Sequence, residues 1–177
     1  MVNNVCLVVV AVWAMSESGS TAGLTSESGS TVVANQAQVD RAIATLNAEL
    51  PTLFTTDLTY DIYTPDIFFQ DPVNTFKGKV NYRIIFWTLR FHGRLFFTQL
   101  FFDLHHVEQP SADTIRADWT VRGTLRLPWQ TKLLFNGYSI YSLNAQGYIY
   151  RHIDTWDRPP GEILRQFLPA KFAAKTP

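Results

Sequence analysis

Residues 95–156 restrict the fold of this chain more than any other part of it. They are rich in β-branched and aromatic residues. From Ile115 to Val121, apolar and polar residues alternate, which is typical of a strand with one covered face. Turn-forming sequences divide the region at residues 109–111, 127–128 and 144–147. Consecutive strands with short connections predict an antiparallel meander.

Helical periodicity precedes this region. A helix is predicted over residues 36–50, between Asn35 as a candidate N-cap and Pro51 as a stop. A short second helix is predicted around residues 58–63, ending before Pro65 because the residue preceding a proline avoids helical geometry.

Further elements follow. Residues 67–69 predict a brief strand, and residues 80–91 predict a third helix closed by Gly93, with Trp87 in the core. A short terminal helix is predicted around residues 163–168. The expected fold class is therefore α+β, with helices covering one face of a curved antiparallel sheet.

Length and composition favour a single domain. A chain of 177 residues with 46% hydrophobic residues can bury one core but is short for two domains. We expect this domain over residues 35–172, with a leader or disordered spacer over residues 1–34 and a frayed tail over residues 173–177. The 15 basic and 15 acidic residues give no net field for a polyphosphate, so nucleic acid is not an expected partner.

The leader allows two interpretations. Residues 5–14 are apolar but shorter than the roughly 20 residues that cross a bilayer, so no transmembrane segment is predicted. A signal peptide fits this run, although no basic residue precedes Arg41. A transit peptide fits the serine content, although Glu17 and Glu27 oppose it. A plastid or a secretory destination therefore stays open.

Three passages resemble an uncharacterised domain family of photosynthetic lineages within the nuclear-transport-factor-two-like, or SnoaL-like, superfamily. They are residues 57–97, with the motif F-x-D-P before F-K-G, residues 116–129 and residues 147–157. The resemblance implies a cone-shaped α+β fold, in which a strongly bent sheet wraps a long helix and leaves a cavity at its open end. The superfamily includes polyketide cyclases, isomerases, hydrolases and dehydratases, and also members that only bind or dimerise, so the fold does not select a function.

The last predicted strand carries the first candidate site. Its alternate residues are expected on the pocket side, namely Tyr148, Tyr150, His152, Asp154 and Trp156. A carboxylate two residues from an imidazole can orient the ring and raise its basicity, which suits a general base. The alternative is a hydrogen-bonded structural pair.

Asp71 is the third candidate catalytic residue beside His152 and Asp154. It follows an apolar strand and precedes Pro72, so we expect it near the cavity mouth, where burial would raise its pKa. An aspartate before proline also starts turns, which is the alternative role.

Aromatic residues on the strands predict a pocket for a small apolar or aromatic molecule. The candidate ligand-binding residues are Trp119, Trp129, Tyr141, Tyr150 and Trp156. No cofactor is predicted. Gly-rich phosphate-binding loops and the H-E-x-x-H and G-x-S-x-G motifs are absent from the sequence. No metal site is predicted either. The adjacent His105 and His106 would point to opposite faces of a strand, and the single cysteine excludes a thiolate zinc site.

The outer face of the sheet offers two further hypotheses. One is a basic strip for an acidic partner, formed by Arg116, Arg122, Arg126 and Lys132. The other is a homodimer or scaffold interface formed by exposed Phe97, Phe101 or Tyr141. The leading hypothesis for the whole chain remains a binding pocket without strong catalysis, and the alternative is a cofactor-free isomerase, cyclase or hydratase using the acid and base candidates.

Overall fold

The computed structural model describes residues 35–127 and 131–167. The predicted leader, the tail after residue 167 and the candidate ligand residue Trp129 lie outside the described residues. The elements in chain order are α1 (Gln36–Glu49), a 3-10 turn (Leu50–Thr52), β1 (Tyr63–Gln70), β2 (Thr75–Lys77), α2 (Lys79–Phe96), β3 (Phe97–Ser111), β4 (Thr114–Leu125), β5 (Lys132–Leu143), β6 (Ile149–Trp156) and α3 (Pro160–Arg165).

The strands form one six-stranded sheet in the order β2-β1-β6-β5-β4-β3. Strands β3 to β6 pair antiparallel in sequence, which confirms the predicted meander, while β1 joins β6 in parallel. The predicted α+β fold class is confirmed, with a bent, open sheet carrying helices.

The burial pattern of strand β4 shows that the sheet has one covered face. Ile115, Ala117, Trp119 and Val121 are buried, and the residues between them are less buried, as the sequence alternation predicts. Helix α1 adds Val39, Ala42 and Leu46 to the same core. Its observed bounds match the predicted helix.

Strand β6 departs from simple alternation. Ser142 pairs with Arg151 and Leu143 pairs with Ile149, so Tyr150 is an extra residue without a cross-strand partner on β5. Such a bulge changes which residues face the core. Ile149 and His152 are both buried, whereas Tyr150 is 45% exposed. The expectation that Tyr150 shares a face with His152 is therefore wrong.

The prediction of a second helix around residues 58–63 is also wrong. Leu58 lies in irregular structure and Ile62 in a turn, while Tyr63 begins strand β1, which continues across Pro65. Proline cannot donate to a sheet ladder, but Pro65 lies in the irregular stretch between the Tyr63 and Phe68 pairings with β6. The strand can therefore include it without losing a ladder hydrogen bond.

Helix α2 is longer than predicted and presents a different face to the core. It continues through Gly93 to Phe96, and it buries Tyr82, Ile85 and Phe86. Trp87 is 58% exposed, so its predicted place in the core is wrong. The helix is apolar on both sides, and periodicity alone could not decide which side the domain covers.

Two of the predicted turns can be compared with the observed connections between strands. Strand β3 runs through the predicted turn at residues 109–111, and the chain reverses at Ala112 and Asp113 instead. The predicted turn at residues 144–147 is confirmed, with Gly147 at φ +82°. None of the helices in residues 35–127 and 131–167 has the length and hydropathy needed to cross a bilayer.

Candidate functional site

A cavity lies between the inner face of the sheet and helix α2. Its volume is about 190 Å³. Helix α2 contributes Leu89, His92 and Phe96 to its wall, and α3 contributes Ile163 and Leu164. Most of the wall is aliphatic or aromatic, but Asp71, Ser139, His152 and Asp154 bring polar groups to it.

His152 is buried and also lines this cavity. The hydroxyl of Tyr82, from α2, lies 2.6 Å from the imidazole Nδ1, and Asp154 Oδ1 lies 2.7 Å from Nε2. Burial raises the pKa of Tyr82 well above its usual value, so the phenol keeps its proton. It therefore donates a hydrogen bond to Nδ1. In the neutral ring the hydrogen then resides on Nε2 and is donated to Asp154.

Strand β5 contributes a second hydrogen-bond partner of Asp154. Ser139 Oγ donates to Asp154 Oδ1 at 2.5 Å and accepts the indole N–H of Trp119 at 2.9 Å. Both hydrogen bonds to Asp154 end on Oδ1, so Oδ2 has no hydrogen-bond partner among the described residues. The Asp154 side chain is 18% exposed and lines the cavity.

Tyr141 fixes the plane of the imidazole. Its ring stacks on His152 at 4.3 Å between centroids, and the two residues are cross-strand partners in β5 and β6. The edge of Phe69 contacts the same ring at 5.0 Å. The imidazole therefore has a fixed tautomer and a fixed orientation, and both of its nitrogens are occupied.

Asp71 lies on the wall of the same cavity, in the loop after β1. It is 7% exposed. Burial raises its pKa to about 6, and the negative charge of Asp154 acts in the same direction, while hydrogen bonds from Asn74 and from the Val73 N–H oppose the shift. Asp71 also holds its own turn, because Oδ1 accepts the N–H groups of Val73 at 2.7 Å and Asn74 at 2.5 Å. Both of the roles considered for Asp71 are therefore compatible with its position.

Asp71, His152 and Asp154 all line the one cavity. Only some of the predicted aromatic ligand-binding residues do. Trp119, Tyr141 and Trp156 line the cavity, whereas Tyr150 is on the solvent side of β6.

Sequence reasoning missed Tyr82 and Ser139, which complete the network around His152 and Asp154. Ser139 is the cross-strand partner of Asp154. Extending the strand pairing back from the predicted turn at residues 144–147 could have suggested Ser139, but the bulge at Tyr150 shifts that register by one residue. Tyr82 lies 70 positions from His152, and no local pattern connects them.

The predicted basic strip on the outer face of the sheet is partly neutralised. Arg116 pairs with Asp118 at 2.7 Å, Arg122 pairs with Asp103, and Arg126 donates to the Phe97 carbonyl. Cross-strand and same-face carboxylates therefore neutralise two of these charges.

Most of the predicted dimer surface is not exposed. Phe97 and Tyr141 are buried, and exposed Phe101 lies under the Arg122 guanidinium at 4.2 Å. His105 contacts Thr120 and His106 contacts Glu108, and no group of three His, Cys, Asp or Glu side chains within residues 35–127 and 131–167 is placed to hold a metal ion.

Comparison with known proteins assigns the family. The profile of an uncharacterised conserved protein family, DUF2358, matches residues 40–152, which is more than half of the chain. The chain belongs to the DUF2358 family. A search of curated proteins finds no match.

Solved structures similar to this DUF2358 chain share its NTF2-like fold. The epoxide hydrolase/cyclase-like enzyme SalBIII, described in pyran ring formation in the polyether salinomycin, has a TM-score of 0.52 at 14% identity, covering 69% of this chain and 92% of that chain. An NTF2-like protein from Anabaena variabilis has a TM-score of 0.52 at 14% identity, covering 75% and 95%. An NTF2-like protein of unknown function from Cytophaga hutchinsonii has a TM-score of 0.51 at 12% identity, covering 67% and 96%. At these identities the likeness shows the fold alone.

Proposed function

We propose that the cavity binds a small apolar or aromatic molecule that donates a hydrogen bond to Asp154. The observation that carries this proposal is a largely apolar cavity lined by Asp154, whose carboxylate oxygen Oδ2 has no hydrogen-bond partner among the described residues. Pockets of this type take most of their affinity from apolar contact and their orientation from a few polar groups.

The surroundings of Asp154 support a binding role for it. Oδ1 is held by Ser139 and by His152, so the carboxylate is fixed in one orientation. Trp119, Tyr141 and Trp156 provide ring surface in the same wall. A hydroxyl group on an aromatic ligand would thus meet a preorganised charged acceptor, and hydrogen bonds of this kind contribute about 1.5–3 kcal/mol.

Isothermal titration calorimetry with 1-naphthol and naphthalene tests the polar contact. Wild type should bind 1-naphthol more tightly than naphthalene by at least about tenfold, because only naphthol can donate to Oδ2. Asp154→Asn keeps an oxygen for His152 and Ser139 but removes the carboxylate, so this preference should shrink while naphthalene binding changes little. Equal affinity of the wild type for the two probes would contradict the proposed role of Asp154.

A cavity-filling variant tests the location of binding. Leu89 lines the cavity, whereas Leu134 is 52% exposed on β5, so Leu89→Trp and Leu134→Trp add the same side chain at an inner and an outer position. Leu89→Trp should weaken binding of both probes, and Leu134→Trp should leave it unchanged. An unchanged affinity in folded Leu89→Trp would place the binding elsewhere.

A second candidate function, cofactor-free acid–base catalysis, is favoured by one specific observation. Asp71, with a pKa raised to about 6, lies on the wall of the same cavity as Asp154. Carboxylates in different environments of one site can divide the roles of acid and base. Asp71 would supply a proton and Asp154 would remove one, which is the chemistry of an isomerase, cyclase or hydratase. The SalBIII description, epoxide hydrolase/cyclase-like, is consistent with such chemistry on this fold but belongs to that protein.

Exchange of the α-protons of 2-tetralone in deuterated water, followed by NMR, tests this candidate without a known substrate. Positioned general bases accelerate such proton transfers by about 10²–10⁴-fold. Wild type should exchange the protons faster than Asp154→Asn and Asp71→Asn, and the exposed variant Tyr150→Phe should match wild type. If all four proteins exchange the probe at the rate of buffer alone, the catalytic candidate fails and the binding proposal is unaffected.

A further inference from the structure

The outer face of α2 carries an apolar stripe, formed by Val80, Ile84, Trp87, Phe91 and Leu95. Each of these side chains is between 50% and 72% exposed. Their spacing of three or four residues places them along one side of the helix. The rings of Trp87 and Phe91 stack at 5.4 Å with an interplanar angle of 9°, in the middle of the stripe. We call this surface the α2 stripe.

The fold itself does not account for the α2 stripe. The opposite side of α2 supplies the apolar residues that the core and the cavity need, namely Tyr82, Ile85 and Phe86. An exposed contiguous apolar surface on a folded domain marks an interaction site more often than a scattering of single apolar residues does.

Positive charge borders the α2 stripe. Arg83 precedes Trp87 by four residues and Arg94 follows Phe91 by three, so both lie beside the stripe and are exposed. Arg83 lies over the Tyr60 ring at 5.2 Å, and Arg94 donates to the Thr55 carbonyl at 2.8 Å. Neither guanidinium forms an ion pair with a described residue, and the sequence of α2 contains no acidic residue.

We propose that the α2 stripe docks on an anionic lipid bilayer surface. A helix with Trp, Phe and aliphatic residues on one side and cations at the edge lies in the interface between headgroups and acyl chains. Tryptophan is favoured at that depth, and arginine near the surface is attracted by anionic headgroups. A second copy of the chain fits less well, because its α2 would bring the same cations and no carboxylate to meet Arg83 and Arg94. This surface is separate from the cavity and does not depend on its ligand.

Vesicle co-sedimentation of the full chain tests the proposal. The chain should sediment with vesicles of equimolar phosphatidylcholine and phosphatidylserine, and less with phosphatidylcholine alone. The double variant Trp87→Ser/Phe91→Ser should bind on the order of thirtyfold more weakly, because two aromatic side chains no longer enter the interface. Arg83→Gln and Arg94→Gln should each weaken binding about fivefold, only on the anionic vesicles.

A matched control separates this surface from general hydrophobicity. Leu134 and Tyr150 are exposed on the sheet, and Leu134→Ser/Tyr150→Ser should retain wild-type vesicle binding. Failure to sediment with either vesicle, or equal loss in both double variants, would overturn the proposal. So would a dimer in analytical ultracentrifugation that Trp87→Ser/Phe91→Ser dissociates, because the α2 stripe would then be covered by a second copy.

Discussion

Asp71 should make the stability of this protein depend on pH in an unusual direction. Its pKa is about 6 in the folded chain, against an ordinary value of 3.8, because the carboxyl is buried beside the cavity. The folded state therefore binds the Asp71 proton more tightly than the unfolded chain does. This contribution to stability is fully present below pH 3.8 and is lost as pH rises through about 6.

The size of the effect follows from the shift. A difference of about two pKa units corresponds to about 3 kcal/mol between the protonated and the ionised carboxyl. Asp71→Asn replaces the titrating group with a neutral one of the same shape that still has an oxygen for the Val73 and Asn74 N–H groups. The stability of wild type relative to Asp71→Asn should fall by about 3 kcal/mol as pH rises from about 3 to about 8.

Urea unfolding at a series of pH values measures this difference, because groups far from Asp71 titrate alike in both proteins and cancel. Asp113→Asn is the matched control. Hydrogen bonds from Ser111 and Thr114 lower the pKa of exposed Asp113, so the stability of wild type relative to that variant should rise with pH. A wild-type to Asp71→Asn difference that is constant with pH, or that rises with it, would refute the assignment of a raised pKa.

Three further predictions concern stability and use the same unfolding measurement. Gly137→Ala should cost about 2–3 kcal/mol or more, because the new Cβ would overlap the Trp119 ring and lie 2.6 Å from the Thr155 carbonyl oxygen, and an unchanged stability would contradict this close packing around Gly137. Tyr82→Phe should cost about 1–3 kcal/mol because it leaves the buried Nδ1 of His152 without its donor; a neutral effect would mean that this bond does not form. Gly147→Ala should cost at least about 1 kcal/mol because Gly147 has a positive φ of 82°, and a stabilised variant would contradict that backbone geometry.

Local patterns predicted the elements that have one buried face. The alternation in β4 and the apolar spacing in α1 each select a single covered side, and both elements lie where the sequence predicts them. In α2 the apolar residues occupy two sides, so the sequence indicated a helix but not its orientation, and Trp87 was assigned to the wrong side.

The candidate site was predictable only in part, because it depends on strand register and on distant contacts. His152 and Asp154 follow from their spacing on β6, whereas the bulge at Tyr150 is set by pairing with β5 and removes Tyr150 from the pocket wall. The partnership of Tyr82 with His152 exists only after α2 packs against the sheet.

Native mass spectrometry of the full chain, purified gently from an extract of the cells that express it, tests the central claim most directly. A cavity that binds a small apolar or aromatic molecule predicts a retained extra mass in wild type and its loss in Leu89→Trp, with Leu134→Trp behaving like wild type. If wild type carries no added mass, or if Leu89→Trp retains the same mass, the claim that this cavity is a ligand-binding site is contradicted.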